Sequence, residues 1–342
     1  MTKFSLAVFA LCLIHLRPAS SAPIVVGSGP QFTQTHLTGT INWTSNNTYQ
    51  IKGWVFVDST AVLKIQEGTV IYGDKLSLSA LIIRRGGKII AQGTASRPII
   101  FTSFEAAGTR APGDWGGLIL LGSATTNKPT TQQIEGGFTT QAPGQTYYGG
   151  INDDDSSGVV SYVRIEFAGV AFGPDDEING MTMGGVGRKT KIDHVQVSYS
   201  NDDDFEFFGG TVDAKYLVSW RARDDNFDTD FGFNGRLQFC YAKRDVNIFG
   251  LAANDQSNGF ESDNENNAGT GHSANPRTKA RVSNMTLIGP YADVASAGGG
   301  NLTKWQHEAL IRRSSEFSIY NSVLAGWPFG PQVRDTATQR AA

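Results

Sequence analysis

The feature of the sequence that most constrains its fold is a set of short apolar runs that recur at nearly constant spacing. Three of them lie at 195–199, 217–220 and 237–241. Runs this short, each ended by glycine or a polar residue, are typical of β-strands, and a repeat of about 20 to 25 residues is typical of a solenoid. One coil cannot bury its apolar side alone and must stack on its neighbours. The sequence therefore predicts an all-β chain folded as a right-handed, single-stranded parallel β-helix.

The first half of the chain carries the same kind of runs without a regular period. They lie at 54–57, 62–65, 69–72, 81–83, 88–91, 99–102 and 118–121. The segments 123–158 and 252–281 are polar and rich in glycine, which predicts long loops that leave the coil. Residues 23–342 are therefore predicted to form one domain, with residues 23–50 as its N-terminal cap.

The two ends of a solenoid expose strand edges that must be covered. The run at 322–327 is typical of another strand, and only a short polar tail follows it. We therefore expect little cover at this end, and the ends of the solenoid are candidate surfaces for self-association.

Residues 1–22 have the pattern of a secretory signal peptide. Lys3 precedes an apolar run at 4–16, and small residues follow at 19–22. The apolar run is too short to span a bilayer, and no later run approaches the length that spanning requires. The mature protein is therefore predicted to be secreted, either extracellular or at the cell surface, and not membrane-spanning.

Charge and cysteine content exclude some further classes of protein. The formal net charge is −3, and it becomes −5 without Lys3 and Arg17. A mildly acidic chain without a basic stripe does not favour nucleic acid as a partner. Cys12 lies in the signal segment, so the mature chain keeps Cys240 alone and no intramolecular disulfide is possible. A buried, inert thiol is the favoured interpretation of Cys240, with a reactive thiol as the alternative.

The chain also carries acceptor motifs for N-glycosylation. The motifs begin at Asn42, Asn46, Asn284 and Asn301. They matter only in a eukaryotic host, where a used acceptor would lie on the surface.

Several segments resemble a known group of proteins. They lie at 67–71, 81–87, 91–94, 98–103, 113–117, 202–212 and 224–239. Together these segments are similar to secreted and surface β-helix proteins of bacterial type, which are pectin-lyase-like in fold. The resemblance covers most of the mature chain and implies the fold. It implies no catalytic residues, because that group has no established activity.

An acidic pattern recurs on the predicted coils. Phe205 and Phe227, one predicted coil apart, each adjoin acidic residues, and Phe260 repeats the pattern after a longer interval, either a coil with an insertion or a coincidence. If each Phe points inward, strand alternation places Glu206 and Asp228 outward, about 4.8 Å apart on adjacent coils. Like charges so close repel each other, and Ca²⁺ prefers such oxygen ligands. The candidate ligands are Asp203, Asp204, Glu206, Asp225, Asp228 and Asp230.

The alternative interpretation of these residues needs no metal ion. Asp and Asn are common turn residues, so the same pattern is compatible with a solvated acidic ridge. Basic residues that follow in the sequence are candidates for neutralising part of it: Arg221, Arg223, Lys243 and Arg244.

Two enzyme families with this fold offer catalytic alternatives. The stretch 192–195, followed by residues 200–202, is similar to pectate lyases, which use calcium-bound carboxylates and a basic side chain. That resemblance implies calcium on Asp203, Asp225 and Asp228, and Arg221 or Arg223 as the base. The chain departs from the lyases because no second basic motif follows, and the pKa of arginine lies far above neutral.

The second catalytic alternative is a glycoside hydrolase. Residues 201–203 and 224–225 resemble the carboxylates of polygalacturonases, which act as general acid and base. The His and Arg-x-Lys elements of that family would have to come from His272, Arg277 and Lys279. These three residues lie in one predicted loop, which is the wrong spacing.

The sequence therefore favours a non-catalytic function. We expect a secreted or cell-surface β-helix that binds glycans or serves as a structural or adhesive element, with Ca²⁺ stabilising its acidic face. Its expected partner is an extracellular glycan or a surface or matrix polymer, and nucleic acid is not expected. A calcium-dependent polyuronate lyase is the alternative.

Overall fold

The computed structural model describes residues 22–173, 176–250, 256–265, 273–291, 304–335 and 338–339. Within these residues the chain forms 29 strands and little helix, with α1 at Phe138–Gln141. The strands stack in parallel on three faces of a coil. The predicted all-β parallel β-helix is therefore confirmed.

Two faces of the coil form one 17-stranded sheet. The strands of the first face are β3 (Thr40–Trp43), β6 (Val62–Ile65), β9 (Lys88–Gln92), β18 (Ala214–Lys215), β21 (Arg236–Gln238), β24 (Arg281–Ser283) and β27 (Ser318–Tyr320). The strands of the second face are β1 (Ile24–Gly27), β4 (Thr48–Lys52), β7 (Val70–Gly73), β10 (Ile99–Ser103), β19 (Val218–Trp220), β22 (Tyr241–Lys243), β25 (Thr286–Ile288) and β28 (Val323–Ala325). Two longer strands, β12 (Gly158–Glu166) and β16 (Lys191–Ser198), pair with strands of both faces and join them.

The third face is a ten-stranded sheet. Its strands are β2 (Gln34–Leu37), β5 (Trp54–Val57), β8 (Ala80–Ile83), β11 (Gly117–Leu121), β15 (Met181–Gly184), β17 (Phe205–Phe208), β20 (Phe227–Asp230), β23 (Phe260–Ser262), β26 (Ala309–Ile311) and β29 (Gln332–Val333). An antiparallel pair, β13 (Val170–Gly173) and β14 (Asp176–Ile178), lies outside the three faces.

The spacing of the acidic pattern corresponds to single coils. Phe205 pairs with Phe227, and Phe227 pairs with Phe260. The interval from Phe205 to Phe227 is therefore one coil, and the longer interval to Phe260 is one coil with an insertion. Other coils carry larger insertions, since Leu118 pairs with Met181. The predicted constant coil length holds only where no loop leaves the solenoid.

Alternate side chains of each strand enter one continuous apolar core. Phe205 and Phe227 are fully buried, and their rings stack with centroids 5.4 Å apart and planes 9° apart. Phe260 continues this stack at 5.6 Å. The predicted inward Phe205–Phe227 stack is confirmed. Cys240 is buried in the same core, as expected for an inert thiol.

The segment 123–158, predicted to be a polar loop, folds back over the outer side of the third face. Its helix α1 places Phe138 against Trp54, with 4.3 Å between the ring centroids. Ile134 and Tyr148 are buried in the same apolar cluster. The segment therefore builds a second, smaller core that covers the first coils of this face, which the prediction of a loop missed.

The other segments predicted to be irregular also contain strands. Strand β23 interrupts the predicted loop 252–281, of which residues 252–255 and 266–272 lie outside the described residues. Residues 23–50, predicted to be a cap, contribute β1 to β4, and these strands pair in register with the next coil. After the run at 322–327, β29 adds a strand to the third face. Self-association through the ends stays a prediction.

A column of aromatic rings follows the outer corner between the first and second faces. Its members are Tyr162, His194, Tyr216 and Phe239, with φ angles of 50°, 51°, 57° and 58°. Residues other than glycine are strained in this left-handed conformation. Ring stacking offsets part of this strain, because successive centroids lie 4.3, 4.5 and 5.5 Å apart. Tyr216 and Phe239 remain 43% and 44% exposed.

The predicted signal peptide lies almost wholly outside the described residues, which begin at Ala22. Among the residues that the structure describes, no helix is long and apolar enough to cross a membrane. Asn42 and Asn46 are exposed, Asn284 is half-buried, and Asn301 lies outside the described residues. Their glycosylation stays a prediction.

Candidate metal centre

The acidic residues of adjacent coils lie in register on the outer side of the third face. Glu206 pairs with Asp228, and Asp228 pairs with Glu261. Each follows a buried Phe, so the alternation of the strand directs it away from the core. The predicted neighbourhood of Glu206 and Asp228 is therefore present, and Glu261 extends the row by one coil.

A second group of carboxylates lies in the turns that precede these strands. Asp202 and Asp203 precede β17, and Asp224 and Asp225 precede β20. The backbone N–H of Asp225 donates to Asp203 Oδ1 at 2.7 Å, and the backbone N–H of Asn258 donates to Asp225 Oδ1. Each of these two acceptor carboxylates is thus anchored to the backbone of the following coil. This anchoring ties the turns of adjacent coils to one another.

Together the two groups form three overlapping triads, in each of which the candidate ligand oxygens lie within 4.8 Å of one another. The triads are Asp202–Asp203–Asp224, Asp203–Glu206–Asp228 and Asp225–Asp228–Glu261. Asp203 and Asp228 each belong to two triads. The residues therefore form one continuous acidic row, which we call the acidic row below, and it contains four of the six predicted ligands.

The acidic row is too buried and too crowded to be fully ionised without compensation. Burial, followed by the charges of neighbouring carboxylates, raises the pKa of Asp203, Glu206 and Asp228 well above the ordinary range. Oδ1 of Asp228 is buried and accepts no hydrogen bond within the described part of the chain. A set of carboxylate oxygens with an unpartnered buried member is suited to a hard cation.

The segment 123–158 brings one further carboxylate to the row. Asn179 Nδ2 donates to Glu206 Oε2 and also to Glu135 Oε1, the latter at 3.3 Å. Burial raises the pKa of Glu135 to about 8, and Glu206 is its hydrogen-bonding neighbour. Sequence reasoning missed Glu135, because nothing in its local pattern indicates that its segment folds back onto the third face.

The remaining two predicted ligands, Asp204 and Asp230, lie outside the three triads. Asp204 precedes the first residue of β17, so strand alternation does not apply to it, and it accepts a hydrogen bond from the Ser219 hydroxyl. Burial raises its pKa to about 7. Asp230 ends β20, and burial together with the charge of Asp263 raises its pKa to about 7.

Arginines compensate the acidic residues at the C-terminal end of the row. The Arg312 guanidinium binds Glu261 and Asp263, and Arg313 binds Asp263 at 2.5 Å. Burial by itself would lower the pKa of Arg312. The bonds to Glu261 and Asp263 have the larger combined effect, so the pKa is raised. In the described ranges, no ion pair joins Asp203, Glu206 or Asp228 to a basic residue. The middle of the row therefore has no ion-pair partner among these residues.

Arg244 compensates the row from the inside. Its guanidinium donates to Ala222 O at 2.8 Å and Asn258 O at 2.7 Å. It also lies 5.4 Å from the Trp305 ring and 5.3 Å from the Trp327 ring. Burial lowers the pKa of Arg244. The negative charges of nearby carboxylates oppose this effect, and Asp225 has the largest share in it. Of the four predicted basic residues, Arg244 is therefore the one held inside the fold beside these acids.

The two arginines of the lyase alternative bind other residues. Arg221 forms an ion pair with Asp245 at 3.2 Å and donates to the Tyr199 hydroxyl at 2.6 Å. Arg223 donates to Asn201 Oδ1 at 2.5 Å, and burial lowers its pKa. Arg223 directly precedes Asp224 of the row, whereas Arg221 is held by Asp245.

Two basic residues of the hydrolase alternative bind a carboxylate outside the acidic row. Arg277 and Lys279 both bind Glu316, at 3.5 and 2.8 Å. His272 lies outside the described residues. Glu316 precedes β27 on the first face, so these two basic residues serve an ion pair there.

Comparison with known proteins agrees with this architecture. The sequence model of the family described as "Pectate-lyase like beta helix domain" matches residues 35–342. Neither the curated proteins nor the solved structures that were compared gave a significant match. The matched range covers the strands from β3 to β29. It includes β17, β20 and β23, which carry Glu206, Asp228 and Glu261 of the acidic row. The chain therefore belongs to the pectate-lyase-like β-helix family.

Proposed function

We propose that the protein is a secreted or cell-surface β-helix that binds a divalent cation, Ca²⁺, on its acidic row and binds glycans through that cation-loaded face. The observation that carries the proposal is the set of three overlapping triads on adjacent coils, with oxygens within 4.8 Å of one another. Among the described residues, no ion pair compensates Asp203, Glu206 or Asp228. A cation supplies the missing compensation.

The ligand set favours calcium over softer metals. The triads offer carboxylate oxygens alone, and Ca²⁺ takes about six to eight oxygen ligands in flexible geometry. Three carboxylate groups supply at most about six oxygens, so further ligands come from water or from a bound partner. Sugar hydroxyls and carboxylates are oxygen ligands of this kind. Asp228 and Glu261 are half-buried, not fully buried, so a cation held there is suited to bridging the protein and an extended glycan.

A glycan array tests this proposal directly. We expect the protein to be retained in Ca²⁺ and released by EDTA. Asp228→Lys should abolish the retention, because it places a positive charge where two triads meet. Asp154→Lys, which alters an exposed acidic residue of the segment 123–158, should bind as the parent does. Retention that is equal in Ca²⁺ and EDTA would contradict the proposal.

One observation favours the lyase alternative as a second candidate. Arg223 directly precedes Asp224 of the row, and its guanidinium donates to Asn201, which directly precedes Asp202 of the row. A lyase must release unsaturated uronide from polyuronate in Ca²⁺, and Arg223→Gln should abolish that release. A parent protein that gives no unsaturated product across a panel of polyuronates rules this candidate out.

A further inference from the structure

A groove with a volume of about 380 Å³ lies on the outer side of the first face, away from the acidic row. Its lining includes Lys215 on β18, Arg236 and Gln238 on β21, and Arg281 on β24. Strand pairing places Lys215 beside Gln238 and Arg236 beside Arg281. The groove therefore runs across successive coils, along the axis of the solenoid.

The groove is cationic, although the chain as a whole is acidic. Asp213 binds Arg236, with both carboxylate oxygens 3.0 Å from Nε. No ion pair of the described residues involves Lys215 or Arg281, and Arg281 donates a 3.3 Å hydrogen bond to Asn234. Arg236 and Arg281 are like charges directly opposite each other, an arrangement that destabilises a sheet. A bound anion would relieve this repulsion.

Aromatic rings and polar groups accompany these charges. Tyr320, which lines the groove, is 58% exposed. Tyr216 and Phe239 directly follow Lys215 and Gln238 in the chain and are exposed at the adjoining corner. Ser283 contributes a hydroxyl group to the lining of the groove. Cations together with exposed rings and hydrogen-bonding side chains are suited to a sugar polymer that carries acidic groups.

We propose that this groove is a second binding site, which takes an acidic polysaccharide bearing carboxylate or sulfate groups and needs no metal ion. The site uses Lys215 and Arg281 for the acidic groups and Tyr320 for contact with a sugar ring. Successive coils repeat along the groove, so a polymer with regularly spaced acidic groups can follow it. The proposal is independent of the acidic row, which lies on another face.

Calorimetric titration of the full chain in EDTA tests the groove without the cation-loaded face. Polygalacturonate and dextran sulfate distinguish a carboxylate from a sulfate ligand, and neutral dextran is the uncharged probe. We expect binding of at least one acidic polymer and none of neutral dextran. The double variant Lys215→Gln with Arg281→Gln should weaken that binding roughly tenfold or more, as expected for the loss of charge-assisted hydrogen bonds.

Two controls separate this site from general charge effects and from the acidic row. Lys64→Gln with Lys88→Gln alters two exposed lysines on the first coils of the same face and should leave the affinity unchanged. Asp154→Asn, which alters an exposed acidic residue outside both sites, should also leave it unchanged in EDTA, where the acidic row holds no cation. If the Lys64/Lys88 double variant weakened binding as much as the Lys215/Arg281 double variant, the proposal would be overturned. The absence of binding to either acidic polymer would also overturn it, as would equally tight binding of a single-stranded polynucleotide with the same dependence on Arg281.

Discussion

The rings of Phe205 and Phe227 stack in the core 5.4 Å apart, with their planes 9° apart. Because the side chains of a strand alternate, this inner stack directs the residue that follows each ring to the outer side. Glu206 and Asp228 therefore face each other on adjacent coils. The same packing that stabilises the coil thus forces two carboxylates together.

The aromatic stack should be a main source of stability in this part of the coil. We expect Phe227→Ala to lower the free energy of unfolding by about 3 to 5 kcal/mol, through lost burial and the cavity that remains. Phe239→Ala, which removes a ring that is 44% exposed, should cost about 1 kcal/mol. Urea denaturation measures both, and equal losses would contradict the assigned role of the stack.

Removing one carboxylate from the middle of the acidic row should stabilise the protein in EDTA. Asp228→Asn relieves repulsion on both sides, so we expect the melting temperature to rise by a few degrees. The same change should remove the stabilisation by Ca²⁺, which for the parent is about 2.7 kcal/mol at roughly 100 times Kd. Thermal melts with Asp154→Asn as the control check both effects. A variant that keeps the full response to Ca²⁺ would exclude Asp228 as a ligand.

The raised pKa values predict an unusual dependence of stability on pH. The pKa values of Glu135, Asp204 and Asp230 are raised to about 8, 7 and 7 in the folded state, against ordinary values of 4.5, 3.8 and 3.8. The folded state therefore holds more protons than the unfolded state, so stability falls as the pH rises. In EDTA we expect the melting temperature to fall between about pH 4 and pH 8. Ca²⁺ bound on the neighbouring row should oppose this fall, and a flat profile in EDTA would contradict the raised pKa values of these three buried carboxyls.

Arg244 should be essential for stability although it is a buried charge. Its replacement by Met leaves Asp225 and Asp204 without a nearby buried positive charge and removes the contacts with Trp305 and Trp327. We expect a loss of about 3 to 5 kcal/mol, because the change leaves buried oxygen acceptors without a donor and nearby carboxylates without compensation. Arg221→Met removes a partly exposed ion pair with Asp245 and should cost about 1 kcal/mol or less. Denaturation curves of the two variants should therefore differ clearly.

The thiol of Cys240 should be inert in the folded protein. It is buried, and burial raises its pKa to about 12, so almost no thiolate forms at neutral pH. A thiol reagent should modify the denatured chain completely and the folded chain only as fast as it unfolds. Rapid modification of the folded protein would contradict the described core.

Periodicity alone is enough to predict the coil and most of the acidic row. Phe205, Phe227 and Phe260 recur at distances that correspond to single coils, and alternation then predicts the outward side of Glu206 and Asp228. This inference works because neighbours in a solenoid are one coil apart in sequence, so local spacing sets spatial contact. It fails for Asp204, which lies in a turn where alternation does not hold.

The surroundings of the row depend instead on contacts between distant segments. The folding back of the segment 123–158 brings Glu135 to Glu206, and the distant Trp305 and Trp327 enclose Arg244. Arg312 directly follows β26 of the next coil and reaches Glu261 on β23, 51 residues earlier in the chain. None of these contacts follows from a repeat, because insertions of different length separate the partners and their positions depend on packing against the outer side of the coil. Register follows from periodicity, whereas the compensation of buried charge depends on the whole fold.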